Sequence, residues 1–329
     1  MVTVLVTGAT GFVGSHVVDE LLRRNFTVAY IARATSNHRW LEGLDVELRE
    51  GSLYDRDSLK NALRDIDVVI HVAGQIAGKN EADFYNGNVV ATKNLLNAIK
   101  EFQPNLKRYV HISSQAVTGP SLSADKPVTE ADTPKPITAY GRTKWQAEQI
   151  VHSYMDSLPC TIVRPPAVYG PRDEATLSFF QMVSKGVAPL IGFNGKLVSL
   201  IHVRDLATGI VEATIHQNAV GETYFITSSE VYSWKQISNV AGAAAGRRKL
   251  VTIRLPHVIV LAIAGIVGGI GKLGKKPPVL NYEKGIDLIQ TYWTSSGDKA
   301  RKELGFRPAI SLSDGITDTI TWYRKQQWL

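Results

Sequence analysis

The sequence predicts an α/β protein built on a doubly wound parallel sheet, with a smaller and mostly helical cap in its C-terminal part. Over the first two-thirds of the chain, short runs rich in valine and isoleucine alternate with helical stretches. Runs that are apolar throughout are typical of strands buried on both faces of a parallel sheet. A glycine-rich turn directly follows the first of these runs. Such alternation implies right-handed βαβ units.

The individual elements follow from this alternation. Strands are predicted at residues 3–6, 27–32, 46–50, 68–72, 108–112 and 160–163, and helices between them at 13–24, 58–63, 88–102 and 140–157. After Pro171 the spacing becomes less regular, and four segments are assigned to the cap, at 177–185, 198–212, 223–240 and 255–274, followed by a closing helix at 312–323. We therefore predict one domain at residues 1–171 and a cap at 172–329, with residues of about 198–226 returning to the first domain.

Composition restricts the class of protein. Hydrophobic residues make up 44% of the chain and charged residues 20%, which is typical of a soluble globular protein. The single cysteine, Cys160, excludes an intrachain disulfide and a cysteine-based zinc site, so we predict no metal and a reducing, cytoplasmic location. The net charge of +7 is spread along the chain without interleaved aromatic residues, and we expect no nucleic-acid partner.

The glycine-rich turn predicts a dinucleotide site. Gly8, Gly11 and Gly14 lie between the first strand and the first helix, in the sequence TGATGFVG. Glycines there allow a tight turn and a close approach to a pyrophosphate, which the N–H groups of the helix N-terminus bind. The other residues of the turn predicted to contact the cofactor are Thr10, Phe12 and Val13.

Arg33 bears on the choice of cofactor. An acidic residue after the second strand would bind the ribose 2′-hydroxyl of NAD, but this sequence ends that strand with Ala32-Arg33. A guanidinium can bind a 2′-phosphate, so we predict NADP(H). The alternative is NAD with a solvated Arg33.

A tyrosine and a lysine form the candidate proton-transfer pair. Tyr140 and Lys144 are four residues apart in a predicted helix and therefore share one face. We expect the ammonium to lower the pKa of the phenol, which could then exchange a proton with a carbonyl or an alcohol. Ser114, with Ser113 as the alternative, follows a predicted strand and could donate to the substrate oxygen.

Several motifs in this order resemble the extended short-chain dehydrogenase/reductase superfamily, the NAD-dependent epimerase/dehydratase group. They are TGATGFVG, HVAG at 71–74, ISSQ at 112–115, YGRTK at 140–144, RPPAVYGPR at 164–172 and IHVRDLA at 201–207. The resemblance covers essentially the whole chain. It implies a Rossmann-type dinucleotide-binding domain, a nicotinamide cofactor, a Ser-Tyr-Lys active site and a homodimer formed by helices 88–102 and 140–157.

The resemblance also implies roles for further residues. Asn88 would support Lys144 through a water molecule, and Lys144 would also hold the nicotinamide ribose. The remaining cofactor contacts implied are Ala73 and Gly74 at the adenosine side, Ser52 and Leu53 near the adenine, and Pro165 and Val168 at the nicotinamide end. Ser52 departs from the pattern, because relatives carry aspartate there, which puts the usual carboxylate contact to the adenine in doubt.

Three branches of the group differ in substrate. Dehydratases carry Thr-Asp-Glu after the active serine, whereas residues 115–118 here contain no acid. Epimerases carry an asparagine and an arginine at positions that correspond to Ala167 and Val198, and neither side chain can bind a diphosphate. The pattern is closest to the dihydroflavonol reductase and 3β-hydroxysteroid dehydrogenase branch. It implies an NADP(H)-dependent oxidoreductase that interconverts a secondary alcohol and a ketone on an apolar or semi-polar small molecule. The alternative is a sugar-nucleotide epimerase, and intact Ser114, Tyr140 and Lys144 argue against a non-catalytic cofactor sensor.

The most apolar segment allows two interpretations. Residues 258–271 contain no charge and are too few to span a bilayer. They could form a buried cap helix whose glycines permit close packing. Alternatively, residues 255–276 form a peripheral membrane contact, because basic residues flank the apolar run.

Overall fold

The computed structural model describes residues 2–271 and 281–329. Its main sheet has seven parallel strands in the order β10-β6-β5-β4-β1-β2-β3, which confirms the doubly wound α/β prediction. The strands of the described residues are β1 (Thr3–Thr7), β2 (Thr27–Ala32), β3 (Glu47–Glu50), β4 (Val68–His71), β5 (Arg108–Ile112), β6 (Cys160–Arg164), β7 (Ala167–Tyr169), β8 (Val187–Ile191), β9 (Leu197–His202), β10 (Thr223–Phe225), β11 (Val231–Ser233), β12 (Val251–Leu255) and β13 (Tyr292–Trp293).

Helices lie on both faces of this sheet. They are α1 (Phe12–Arg23), α2 (Arg56–Ala62), α3 (Glu81–Tyr85), α4 (Ala91–Phe102), α5 (Ala139–His152), α6 (Leu177–Ser184), α7 (Val203–Ile215), α8 (Trp234–Ala244), α9 (His257–Gly271), α10 (Tyr282–Ile289), α11 (Asp298–Glu303) and α12 (Leu312–Lys325). Side-chain hydrogen bonds cap the N-termini of several helices. Asp55 accepts from two N–H groups of α2, and Thr138 accepts from Gly141 N of α5. The strand order reverses between β1 and β4, and ligands bind at such a switch point, outside the carboxyl ends of the strands.

Part of the chain beyond residue 171 belongs to this layer. Strand β10 pairs in parallel with β6, and α7 packs beside α1. Gly209 permits the close packing, because a Cβ there would lie 2.4 Å from the side chain of Ile226. Residues between β9 and β10 therefore complete the dinucleotide-binding layer.

The cap contains more strand than the sequence predicts. Segment 198–212, assigned to a mostly helical cap, divides into β9 and α7, and segment 223–240 contains β10 and β11 before α8 begins. Strand β9 pairs with β7, β11 and β13, and β12 pairs with β8. Short apolar runs such as Val198–Ile201 fit a strand or a buried helix equally well, and only their pairing partners decide between the two.

Helix α9 has a narrow buried stripe and a broad exposed face. Only Val260, Ala264 and Gly268 are buried in it, against α10: Ala264 would lie 2.9 Å from a Cβ added at Gly285. Its exposed side chains include Ile266 at 63% and Ile270 at 66%. The interpretation as an ordinary buried cap helix is therefore wrong, because α10 covers only one face of α9 and leaves the opposite face exposed. In the described ranges no helix has the length and apolarity needed to cross a membrane. Residues 272–276 of the predicted membrane segment lie outside the described residues.

Candidate active site

The glycine-rich turn has the shape that a pyrophosphate requires. Gly8 follows β1 with φ +71°, and a Cβ there would lie 2.6 Å from Ala73 N. A Cβ at Gly14 would lie 2.1 Å from the carbonyl oxygen of Gly8. Gly11 precedes the first turn of α1, which contains no acidic residue, so its N–H groups and positive dipole end are available to an anion. This backbone cradle fits a dinucleotide.

The residues predicted to contact the adenosine lie at the carboxyl ends of neighbouring strands. Arg33 comes directly after β2 and is exposed, and its charge lowers the pKa of Tyr54, although burial raises that pKa more. Ser52 and Leu53 follow β3, and Ser52 N donates to Ser58 Oγ over 2.9 Å. Ala73 and Gly74 follow β4, whose partner β1 leads into the glycine turn. These residues therefore follow strands β2, β3 and β4, which lie on either side of β1 in the same sheet.

Ser114 and Tyr140 line a single cavity of about 340 Å³. Ser114 follows β5, and its Oγ accepts from Ala116 N over 3.1 Å at the start of a short helical turn. Tyr140 is in the first turn of α5. Ser113, the alternative donor, is 3% exposed and does not line the cavity. The geometry therefore favours Ser114.

Lys144 is buried one turn beyond Tyr140, and its effect on the pKa of Tyr140 differs from the prediction. Its Nζ donates to the carbonyl oxygen of Ile112 over 2.6 Å, and burial lowers its own pKa to about 8. Burial raises the pKa of Tyr140, and the interaction with the Ser114 hydroxyl partly offsets that rise. The predicted lowering of this pKa by Lys144 is therefore wrong. The reason is that Lys144 extends past the tyrosine to the sheet edge, whereas a shared helix face fixes only where both side chains start. A neutral phenol is suited to donate a proton.

Asn88 contacts the backbone beside Lys144. It lies in a π-helical turn, Asn86–Val90, just before α4, a feature found often at functional sites. Its Oδ1 accepts from Gln75 N over 2.8 Å, and its Nδ2 donates to Thr143 Oγ1 over 3.0 Å. A Cβ added at Gly74 would lie 3.0 Å from this Oδ1 and 3.7 Å from Lys144 Nζ. Asn88 therefore holds the loop that passes beside the lysine.

Pro165 and Val168 lie after β6, in a segment that contacts the loop of Ser114. Gln115 N donates to the carbonyl oxygen of Pro165 over 2.9 Å, which joins this segment to the serine loop. Val168 is in β7, and its neighbour Ala167 lines the cavity. These positions are consistent with the nicotinamide end of a bound cofactor.

The cavity walls include residues that the motifs do not indicate. Apolar side chains form much of the lining, among them Ile76, Phe84, Leu197, Val198, Trp234, Leu288 and Trp293. Lys196, Lys284 and Asp287 also line it, so the wall combines apolar and charged side chains. The last two come from α10, which no motif marks and which reaches the site only through tertiary packing. Across residues 2–271 and 281–329 no group of three or more His, Cys, Asp or Glu side chains could hold a metal ion.

The fold and the site together define an NAD(P)-dependent enzyme of the extended short-chain dehydrogenase/reductase class. The family model for the NAD dependent epimerase/dehydratase family matches residues 4–227. The chain belongs to this family, as its motifs predicted.

Similar proteins span nearly the whole chain. A ceramide reductase from Caulobacter vibrioides is 30% identical, over 99% of this chain and 96% of the relative. A decarboxylating sterol-4-alpha-carboxylate 3-dehydrogenase from Dictyostelium discoideum is 25% identical, over 97% of this chain and all of the relative. Among solved structures, gox2253 superimposes with a TM-score of 0.82 at 27% identity, covering 99% of both chains. The UDP-glucuronic acid 4-epimerase of Bacillus cereus, solved with NAD, has a TM-score of 0.78 at 25% identity, covering 99% of this chain and 100% of that one.

Proposed function

We propose that this enzyme uses NADP(H) to interconvert a ketone and a secondary alcohol on a largely apolar small molecule. The observation that carries the proposal is the shared cavity, in which Ser114 and Tyr140 face a lining rich in aliphatic and aromatic side chains. Removing an apolar body from water there would contribute about 25 cal/mol per Å². Relatives whose names describe action on ceramides and sterols support this substrate class.

Each active-site residue has a defined task in this proposal. The nicotinamide, when bound, supplies or accepts the hydride. Ser114 Oγ donates a hydrogen bond to the substrate oxygen and orients it. Tyr140 donates its phenolic proton to that oxygen during reduction and recovers it during oxidation. Lys144 and Asn88 hold the loop at residues 74–75 and the sheet edge in place through their backbone contacts.

A substrate panel tests the proposal. We expect turnover of long-chain or polycyclic ketones or alcohols, followed by nicotinamide absorbance, and weak or no binding of UDP- and GDP-sugars. Ala167 and Val198 cannot bind a diphosphate, and Lys196 already donates to the backbone carbonyl of Gln290 over 2.6 Å. Micromolar binding of a sugar nucleotide together with epimer formation would reject the proposal in favour of an epimerase.

The cofactor preference rests on Arg33. We expect NADPH to bind at least about tenfold more tightly than NADH, because a guanidinium forms charge-assisted bonds with the 2′-phosphate. Arg33→Asp should reverse the order, and titration of nicotinamide fluorescence measures both affinities. Arg39→Asp, also after β2 but paired with Glu174, is the control and should leave the order unchanged. Equal affinities in the unaltered protein would contradict the NADP assignment.

We also propose that the exposed face of α9 contacts a membrane surface that contains anionic lipid. Phe193, 70% exposed, adds to this face, because its neighbour Gly192 packs against His257 at the start of α9. Arg247, Arg248 and Lys249 are exposed just before β12, which leads into the helix. Apolar side chains next to basic ones are the combination that anionic lipid surfaces attract.

Liposome flotation tests this contact. The protein should float with phosphatidylserine vesicles at low salt and less at high salt, because salt screens the attraction of the basic residues. Ile266→Glu with Ile270→Glu should reduce flotation, whereas Leu48→Glu, at an exposed leucine on β3, should not. Absence of flotation at low salt would reject the membrane contact but would leave the oxidoreductase proposal unaffected. The homodimer and the cytoplasmic location stay predictions, and sedimentation and cell fractionation test them.

A further inference from the structure

Asp287 brings an incompletely paired carboxylate to the wall of the active-site cavity. Its side chain is 17% exposed and lines the cavity together with Ser114 and Tyr140. Within the described residues, no hydrogen-bond donor reaches its buried Oδ1. Buried polar atoms without a partner are rare and destabilising, so this carboxylate, which lines the cavity, is suited to accept a hydrogen bond from a ligand group.

The position of Asp287 is fixed by contacts at both ends of α10. At the start of the helix, Glu283 accepts from Ala139 N over 2.6 Å, which ties α10 to the residue before Tyr140. At the end, Trp293 Nε1 donates to the carbonyl oxygen of Asp287 over 2.9 Å. Lys196 Nζ donates to the carbonyl oxygen of Gln290 over 2.6 Å. The backbone that carries the carboxylate is therefore held in place without a ligand.

The charge on Asp287 is only partly compensated. Lys284 Nζ lies 3.7 Å from Oδ2, longer than a hydrogen bond, and it leaves Oδ1 unpaired. Burial raises the pKa of Asp287, and the charge of Asp287 adds to the rise in the pKa of Tyr140. The carboxylate is thus within electrostatic reach of the phenol that would touch the reacting oxygen.

We propose that Asp287 determines specificity for substrates that carry an O–H or N–H donor next to the reacting carbonyl, by accepting that donor's hydrogen bond with its carboxylate. This inference rests on the proposed oxidoreductase function and deepens it. The substrate would then have an apolar body and a short polar end, with the apolar body against the aromatic and aliphatic wall. Sites built to bind a donor discriminate strongly against analogues that lack it, because the polar group of the protein is then left unpaired.

Three ketones of equal chain length test the proposal: a long-chain 2-acetamido ketone, its 2-hydroxy counterpart and the plain ketone. The wild-type enzyme should show a kcat/KM at least tenfold higher for the two donor-bearing ketones. Asp287→Leu should remove this preference, by raising KM for the two donor-bearing ketones at least tenfold more than for the plain ketone. Asp287→Asn, which keeps a neutral acceptor, should lie between the two. Asp156→Asn, a charge-matched change at an exposed position after α5, is the control and should change nothing.

Each outcome decides the question. Equal kcat/KM for the three ketones in the wild type overturns the proposal, and so does an equal loss on all three in Asp287→Leu, which would show a structural role. If the wild type turns over none of them, the oxidoreductase assignment fails instead. Calorimetric Kd values for the same three compounds then decide: tighter binding of the donor-bearing pair that is lost in Asp287→Leu supports the proposal, and equal binding overturns it.

Discussion

Replacing Tyr140 with phenylalanine should lower turnover by about 100-fold or more, the scale of general acid–base catalysis. The substitution removes the hydroxyl and keeps the ring, whose edge-on contact with Phe84 at 6.4 Å should persist. Cofactor affinity should change little, because the phenol is on the substrate side of the cavity. Single-turnover oxidation of the nicotinamide cofactor measures the chemical step directly.

Two companion variants separate chemistry from structure. Tyr85→Phe makes the same change at a half-exposed tyrosine that ends α3 and should leave turnover unaffected. Lys144→Met should lower turnover and also weaken cofactor binding, because its Nζ lies beside Gly74 at the cofactor groove. Near-normal turnover in Tyr140→Phe would show that another group transfers the proton.

Arg164→Met should lower the free energy of unfolding by about 3–5 kcal/mol, the usual effect of leaving one charge of a buried pair unpaired. Arg164 Nε and one terminal nitrogen donate to the two carboxylate oxygens of Glu148, over 2.9 and 2.6 Å. Both side chains are almost completely buried, at 5% and 0% exposure. The pair joins α5, which carries Tyr140 and Lys144, to the end of β6.

Denaturant unfolding with a check of the m value measures this effect. Adding Glu148→Leu to Arg164→Met should recover part of the loss, because no unpaired charge then stays buried. The exposed pair of Arg39 and Glu174 is the control, and Glu174→Gln should change stability little. A similarly small change in Arg164→Met would mean that water solvates Glu148 and that the pair does not fix α5.

Local chemistry explains why so much of the cofactor half could be predicted from sequence. The six predicted strands end within one residue of their predicted limits, because most of them are apolar runs bounded by polar or glycine residues. At Gly8 and Gly14 an added Cβ would clash with the backbone, so the turn demands glycine and is visible in one sequence. Ser114 follows a strand, and Tyr140 and Lys144 share a helix face. These local relations are visible in the sequence.

The sequence by itself therefore determined the parallel sheet, the dinucleotide turn and the candidate Ser-Tyr-Lys group. Tertiary structure decided three further things: that β9 is a strand, that α9 leaves an apolar face exposed, and that α10 brings Asp287 to the cavity that Tyr140 lines. The physical reason is the range of the interactions. Strand and turn preferences act between near neighbours, whereas the cap contacts join residues such as Ala139 and Glu283, 144 positions apart. Only the packed chain brings such residues within hydrogen-bonding distance.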